Sequence, residues 1–335
     1  MRASVALLAL LLVSGGTSAS AAPADDVIAA KGKLAGRNLA RIDLTGADLR
    51  GADLAGASLD GAILTGATLV GANLTRASLR GADLRESYLR DVRATGANFS
   101  GARLGATDLT RADLRTANFE GADLTRAVLD SAQLQGARLT KAFLPGAKLA
   151  RAKLVGTNLA GATLIGADLS QTDLTNANLE SAELGADHLA EYGQVGARLA
   201  GATLVKANFT GANLKGVSFR EAVLTDAIFK DADLGWSDLS WVRASRANFS
   251  KASLAWAIGY GGDFSSTTFA AAMLNHAQLV GATLVRADFR RAQLQSTNFE
   301  QANLADADFN DTDATVALFN ATKNIPASLR RPMKP

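Results

Sequence analysis

Residues 47–66 read ADLRGADLAGASLDGAILTG, four pentapeptides in which Leu49, Leu54, Leu59 and Leu64 stand five apart and Ala47, Ala52, Ala57 and Ala62 precede them by two. The pattern extends outward from this stretch in both directions. Between Leu34 and Leu329, 54 of the 60 positions in this phase hold Leu or Phe, and Ala fills 42 of the sites two residues earlier. Only Ala94, Gln194, Ala244, Gly259, Ala314 and Asn324 depart from it. A short fixed repeat decides an architecture before any other signal. Five matches neither the 3.6-residue helical period nor the two-residue strand period. On a helix, Leu104, Leu109, Leu114, Phe119 and Leu124 would wind around the axis instead of forming one stripe.

One large and one small apolar residue in every five turn inward together if each pentapeptide forms one side of a coil. Ala lets the walls approach and Leu or Phe fills the axis. Each buried large side chain contributes roughly 1.5–3 kcal/mol, and no coil buries its face without a neighbour. The repeats Ala47-Asp48-Leu49-Arg50-Gly51, Ala72-Asn73-Leu74-Thr75-Arg76 and Ala302-Asn303-Leu304-Ala305-Asp306 resemble those of the pentapeptide-repeat family. That resemblance implies an all-β, right-handed quadrilateral β-helix over residues 32–331. At four pentapeptides per coil, it predicts about 15 coils. A repeat scaffold of this kind says little about function.

Residues 1–21 have the form of a secretory signal, with Arg2, the apolar run Val5 to Val13, and the small-residue site Ala19-Ser20-Ala21. The run is too short to span a membrane, so the expectation is a chain starting at Ala22 and exported by a bacterium to the periplasm or beyond. Residues 22–31 are expected to cap the first coil. At the other end Asn324, Pro326, Pro332 and Pro335 signal the end of the ladder, leaving a tail at 332–335. An end-to-end homodimer is compatible with the family resemblance, but the short tail supplies no dimerising helix. Without any Cys, disulfides and thiolate metal sites are excluded.

Charge discriminates among roles. Loss of residues 1–21 removes one Arg and no acid, taking the formal charge from +3 to +2. The resemblance brings with it one activity, DNA mimicry by strongly acidic rods that occupy a topoisomerase, and a near-neutral exported rod does not reproduce a phosphate-like field. Arg76, Arg80, Arg85, Arg90 and Arg93 form a belt interrupted by Glu86 and Asp91, unlike the concentrated basic face that nucleic acid requires.

Stepping by twenty puts Trp236, Trp256 and His276 in one column, with Trp241 on the next side and Tyr260 one coil later on that side. All three Trp residues thus gather within two coils, beside the core departures Ala244 and Gly259 and the glycines Gly261 and Gly262. Trp and Tyr are enriched where binding energy concentrates and where an apolar ring meets a wet edge. Two readings stand: a platform for a protein or glycan partner, or aromatics folding over thin places in the core. Phe143, Pro145 and Ile165 make a weaker apolar patch that reads as ordinary surface.

The stretch 183–195 is the second irregularity, because Asp187, Tyr192 and Gln194 fall on inward positions. Asp187, His188 and Glu191 are a weak metal candidate, far short of a specific ligand motif. No catalytic arrangement emerges from a chain with only two His and no Cys, and no cofactor motif is present; Gly259-Tyr260-Gly261-Gly262 lacks the strand-to-helix setting of a phosphate loop. The carboxylates Asp43, Asp83 and Asp123 form a column that Arg103 and Phe143 interrupt, so they read as hydrogen-bonding groups along the coil. The sequence therefore points to a non-enzymatic scaffold presenting a rigid binding surface, with a structural envelope spacer as the alternative.

Overall fold

Every corner of the coil is a tight turn closed by the backbone. The N–H of Ala47 donates to the carbonyl of Leu44 at 3.0 Å, and Gly46 between them has φ +65°. A positive φ at the third turn residue is the type II geometry, which favours Gly. All positions of this phase from 36 to 181 and from 201 to 311 adopt it, including many that are not Gly, such as Arg111 and Lys251. The computed structural model describes residues 24–29, 31–186, 196–312, 314 and 316–329.

Between corners, each side makes one parallel bridge to the coils before and after. Leu49 N–H donates to the carbonyl of Thr68 at 2.8 Å, and Thr68 N–H donates to that of Ala47 at 2.9 Å. The first residue after each core Leu is the one whose N–H has no partner in these ladders. Asp or Asn just before the Leu supplies it: Arg50 N–H donates to Asp48 Oδ1 at 3.1 Å, and Ser170 N–H to Asp168 Oδ1 at 3.0 Å. This local turn is the physical reason for the repeated Ala-(Asp/Asn)-Leu. It also explains the column of Asp43, Asp83 and Asp123, which is capping and not ligation. The carboxyls of Asp83, Asp113 and Asp288 lie below the usual carboxylate range, chiefly because the guanidinium groups of Arg85, Arg115 and Arg290 donate to them.

The axis is filled by Leu and Phe that are almost without exception fully buried. Phe209, Phe229, Phe249, Phe269, Phe289 and Phe309 form one stack with centroids 4.6–5.3 Å apart and planes within 16° of parallel. That spacing is imposed by the distance between neighbouring strands, about 4.8 Å. Where Thr replaces Ala inward, its hydroxyl donates to a core-residue carbonyl, of the preceding coil for Thr107 to Leu84 at 2.6 Å and Thr267 to Ala244 at 2.8 Å, and of its own corner for Thr172 to Leu169 at 2.7 Å. At the start, helix α1 (Ala24–Ala29) lays Val27 on the core with Ile28 against it. The last bridge joins Asn303 to Lys323, and Asn324 turns outward to donate to Asn303 Oδ1 at 2.8 Å.

Bridges link residues twenty apart from Asn38 to Glu183, and then the interval changes. Asp168 pairs with Arg198, Asp173 with Thr203, Asn178 with Asn208 and Glu183 with Asn213, all thirty apart, before twenty resumes. One coil therefore holds ten extra residues. They enter at a single corner: Ala197 N–H donates to the carbonyl of Leu184 at 2.8 Å, closing the same turn that three residues close elsewhere. Both ends of this neck are buried glycines. A Cβ on Gly185 would lie 2.4 Å from the Lys215 nitrogen, and one on Gly196 would lie 2.7 Å from the Gly216 carbonyl oxygen. Among the described residues, the column from Asn38 to Asp308 has fourteen rungs, a length of about 65 Å at the usual strand spacing.

Because ten is two pentapeptides, removing residues 186–195 would join Gly185 to Gly196 and leave a normal four-residue corner. The shortened chain should retain the β-helix, with a thermal midpoint unchanged or higher, since closing a loop costs entropy that grows slowly with length. Circular dichroism melts of the two forms would show this. A midpoint lowered by several degrees would mean that the extra residues support the neighbouring coils.

Candidate functional site

Trp236, Trp241, Trp256 and His276 all occupy the positive-φ corner position, with φ between 56° and 62°. A bulky residue rarely adopts this conformation, and the scaffold imposes it here as at every other corner. The side chains consequently project outward from the edges of the rod. Trp236 is 44% exposed, Trp241 55%, Trp256 48% and Tyr260 42%. Trp236, Trp256 and His276 line one edge on successive coils, while Trp241 and Tyr260 stand on the next edge. The side between these edges carries Asp238, Ile258 and Gln278 on successive rungs.

The rings are presented in two different ways. Trp256 stacks on His276 with centroids 4.1 Å apart and planes 12° from parallel, so this pair covers part of its own faces. Trp241 lies over Gly261 of the next coil, where a Cβ would come within 2.3 Å of its Cζ3 and 2.5 Å of its Cε3. Gly261 is thus the floor under the indole, and a side chain there would displace the ring. Beyond it on the same edge, Gly281 has open space around the Cβ position.

The thin places at Gly259 and Gly262 are not filled by these surface aromatics. A Cβ on Gly259 would meet Leu279 Cδ2 at 2.8 Å and the Phe264 ring at 3.3 Å, and one on Gly262 would meet Phe264 Cε2 at 2.6 Å. Phe264 is fully buried and occupies the volume that both glycines vacate. The sequence reading did not assign this role to Phe264. The cue was available, since Gly259 and Gly262 are core-facing and stand immediately before a large aromatic.

The ten-residue shift also relocates features that looked unrelated. The neck at Gly185 and Gly196 lies on the edge that carries Trp236, Trp256 and His276, two rungs before Trp236, or about 10 Å along the axis. Phe143, 47% exposed, lies on the side adjoining this edge, with Pro145 and Ile165 at the corner itself. Counting by twenty would have put Gly185 and the Phe143 patch diagonally across the rod from Trp236. Asp187, His188 and Glu191 lie outside the described residues, as do residues 1–23 and 330–335. Among the described residues no group of three His, Asp or Glu is placed to hold a metal ion, and no helix is long and apolar enough to cross a membrane. In the arginine belt, Arg85 pairs with Asp83 at 2.6 Å and Arg90 with Asp108 at 3.6 Å, which offsets its charge locally.

With the coil and its corners defined, the family follows. The profile for pentapeptide repeats matches in successive segments from 33 to 180 and again from 195 to 320, leaving out the stretch where the chain departs from the coil. The chain belongs to the pentapeptide-repeat family, and its fold is the right-handed quadrilateral β-helix. Among solved structures, a trypsin-treated variant of QnrB1, a plasmid-mediated fluoroquinolone resistance protein, is 18% identical, with 57% of this chain and 88% of that one covered and a TM-score of 0.32. HetL, a pentapeptide repeat protein involved in heterocyst differentiation regulation from the cyanobacterium Nostoc sp. strain PCC 7120, is 30% identical over 76% of this chain and 89% of its own, with a TM-score of 0.19. A pentapeptide repeat protein from the Arabidopsis thaliana thylakoid lumen is 25% identical over 53% and 78%, with a TM-score of 0.17. No match was found among curated proteins.

Proposed function

We propose that this chain is an exported, non-enzymatic pentapeptide-repeat scaffold whose task is to hold a rigid surface, the region from Trp236 to Tyr260, against a protein or glycan partner. The observation that carries this reading is that Phe264 and Leu279 already fill the core beneath Gly259 and Gly262. The aromatics therefore have no defect to repair at Gly259 and Gly262, yet they stand 42–55% exposed on adjacent edges. Clustered Trp and Tyr on a rigid support are the side chains that concentrate binding energy, and a scaffold that does not reorganise loses little entropy on binding. Export rests on the apolar run and small-residue site within residues 1–21 and places the rod in the periplasm or outside the cell. Mimicry of DNA is disfavoured by the near-neutral charge.

The test is affinity capture from envelope and secreted fractions with the mature rod and with its Trp236→Ser/Trp241→Ser/Trp256→Ser form, both checked by circular dichroism. A component retained by the parent and lost by the folded variant is the expected result. If both forms retain the same material, or neither retains any, the rod itself is the function and the envelope-spacer reading replaces this one.

A further inference from the structure

The side of the coil between the two aromatic edges has an unusual charge composition. Over four successive rungs, spanning residues 235–241, 255–261, 275–281 and 295–301, not one of the protein's 35 Lys and Arg residues occurs, and the only acids are Asp238 and Glu300. Elsewhere the rod is studded with Arg–Asp pairs, such as Arg111 with Asp91 and Arg246 with Asp226. A surface without cations gives a polyanion nothing to neutralise it. What it offers instead is uncharged hydrogen-bonding groups held in fixed orientation. Gln278 Nε2 donates to the His276 carbonyl at 3.1 Å, and Asn298 Nδ2 donates to Gln278 Oε1 at 3.2 Å. Each carboxamide nitrogen carries two N–H groups, so Gln278 and Asn298 each keep one for a ligand.

Two rungs before Gln278, on the adjoining edge, lies Trp241, backed by Gly261 on one face and 55% exposed. A flat, supported indole face followed along the rod by oriented carboxamides is complementary to a sugar chain, whose rings offer C–H groups on their faces and hydroxyls around their rims. The rungs repeat every 4.8 Å or so along the rod, close to the length of one pyranose unit in a linear chain. The Trp256–His276 stack presents ring edges, and so bounds the same side from the other edge.

We propose that this cation-free side binds an uncharged polysaccharide chain running parallel to the rod axis, with Trp241 as the stacking platform and Gln278 and Asn298 as hydrogen-bond donors to its hydroxyls. The inference rests on the binding-surface reading above and narrows it to one ligand class.

The experiment uses the mature chain and two probes, the β-1,4-linked hexamers of glucose and of N-acetylglucosamine, followed by tryptophan emission and by calorimetry. At least one probe should give a saturable response that is insensitive to salt. Trp241→Ala should weaken it at least tenfold, Trp241→Phe should retain it within a few-fold, and Phe143→Ser should leave it unchanged, all with parental circular dichroism. Gly261→Ala, which pushes the indole off its floor, should weaken binding although the ring itself is retained. No saturable response to either hexamer, or equal binding by Trp241→Ala, overturns the proposal. If capture yields a protein that depends on the Trp residues while neither hexamer binds, this inference fails and the broader reading of the surface stands.

Discussion

Phe249→Ala should cost about 3–5 kcal/mol of stability, the range for removing a buried aromatic ring. Phe249 is fully buried and stacks on Phe229 at 4.6 Å and on Phe269 at 5.3 Å. The surrounding backbone is pinned by rungs on all four sides, so the walls have little freedom to collapse into the vacancy. Coils contact only their neighbours, and the stability of such a rod is close to a sum of local terms. A defect in the middle should therefore weaken coupling between the two halves and turn a single denaturant transition into two, or one of visibly lower slope. Guanidinium titrations of the parent, Phe249→Ala and Phe143→Ala would decide this, the last serving as an exposed control expected to stay within about 0.5 kcal/mol. A loss below about 1 kcal/mol at Phe249 would contradict the rigid-wall picture.

Gly259→Leu restores the consensus at the most conspicuous gap in the ladder, and it should destabilise the protein. The space that an ordinary Leu would fill is held by Leu279 and by the ring of Phe264, which come within 2.8 and 3.3 Å of the position of a Cβ. Overpacking of this kind costs about 1–3 kcal/mol and sometimes more. The decisive form of the measurement is a double-mutant cycle. Phe264→Ala alone leaves a cavity and Gly259→Leu alone creates a clash, whereas together each relieves the other, so the pair should be less destabilised than the sum of the single changes. Calorimetric midpoints for the three variants would reveal the coupling. Stabilisation by Gly259→Leu alone would mean that Phe264 does not occupy the gap.

These two cases mark how far the local pattern reaches. Leu at 49, 54 and 59 points inward because the turn before it fixes the direction of the chain, and that turn is decided within five residues. The same locality explains why Ala47 lies on the wall and why Asp48 caps the following N–H. Gly259 looked like a defect because its compensation comes from Phe264, five residues later and on another side of the coil. The aromatic edge was legible for a similar reason: Trp236, Trp256 and His276 lie on the same side of the extra residues, where counting by twenty holds. The support of Trp241 by Gly261 was less visible, since only side-chain direction shows that the ring leans toward the next coil and not into solvent.

By itself, the sequence determined the cross-section of this protein: which residues line the axis, which form the wall, which close the corners, and that the result is a pentapeptide-repeat rod. Which side of the rod a residue occupies was decided only by tertiary structure. Inward or outward orientation is set by local turn chemistry and repeats every five, so inserting ten residues preserves the phase of the ladder on either side. Position around the coil is a cumulative count, and because the ten residues leave the coil at a single corner they advance the numbering by half a coil without advancing the chain around it, so that Asp168 pairs with Arg198. The Phe143 patch, the neck at Gly185 and Gly196, and the Trp236 column therefore lie along one edge, an arrangement encoded in no single repeat.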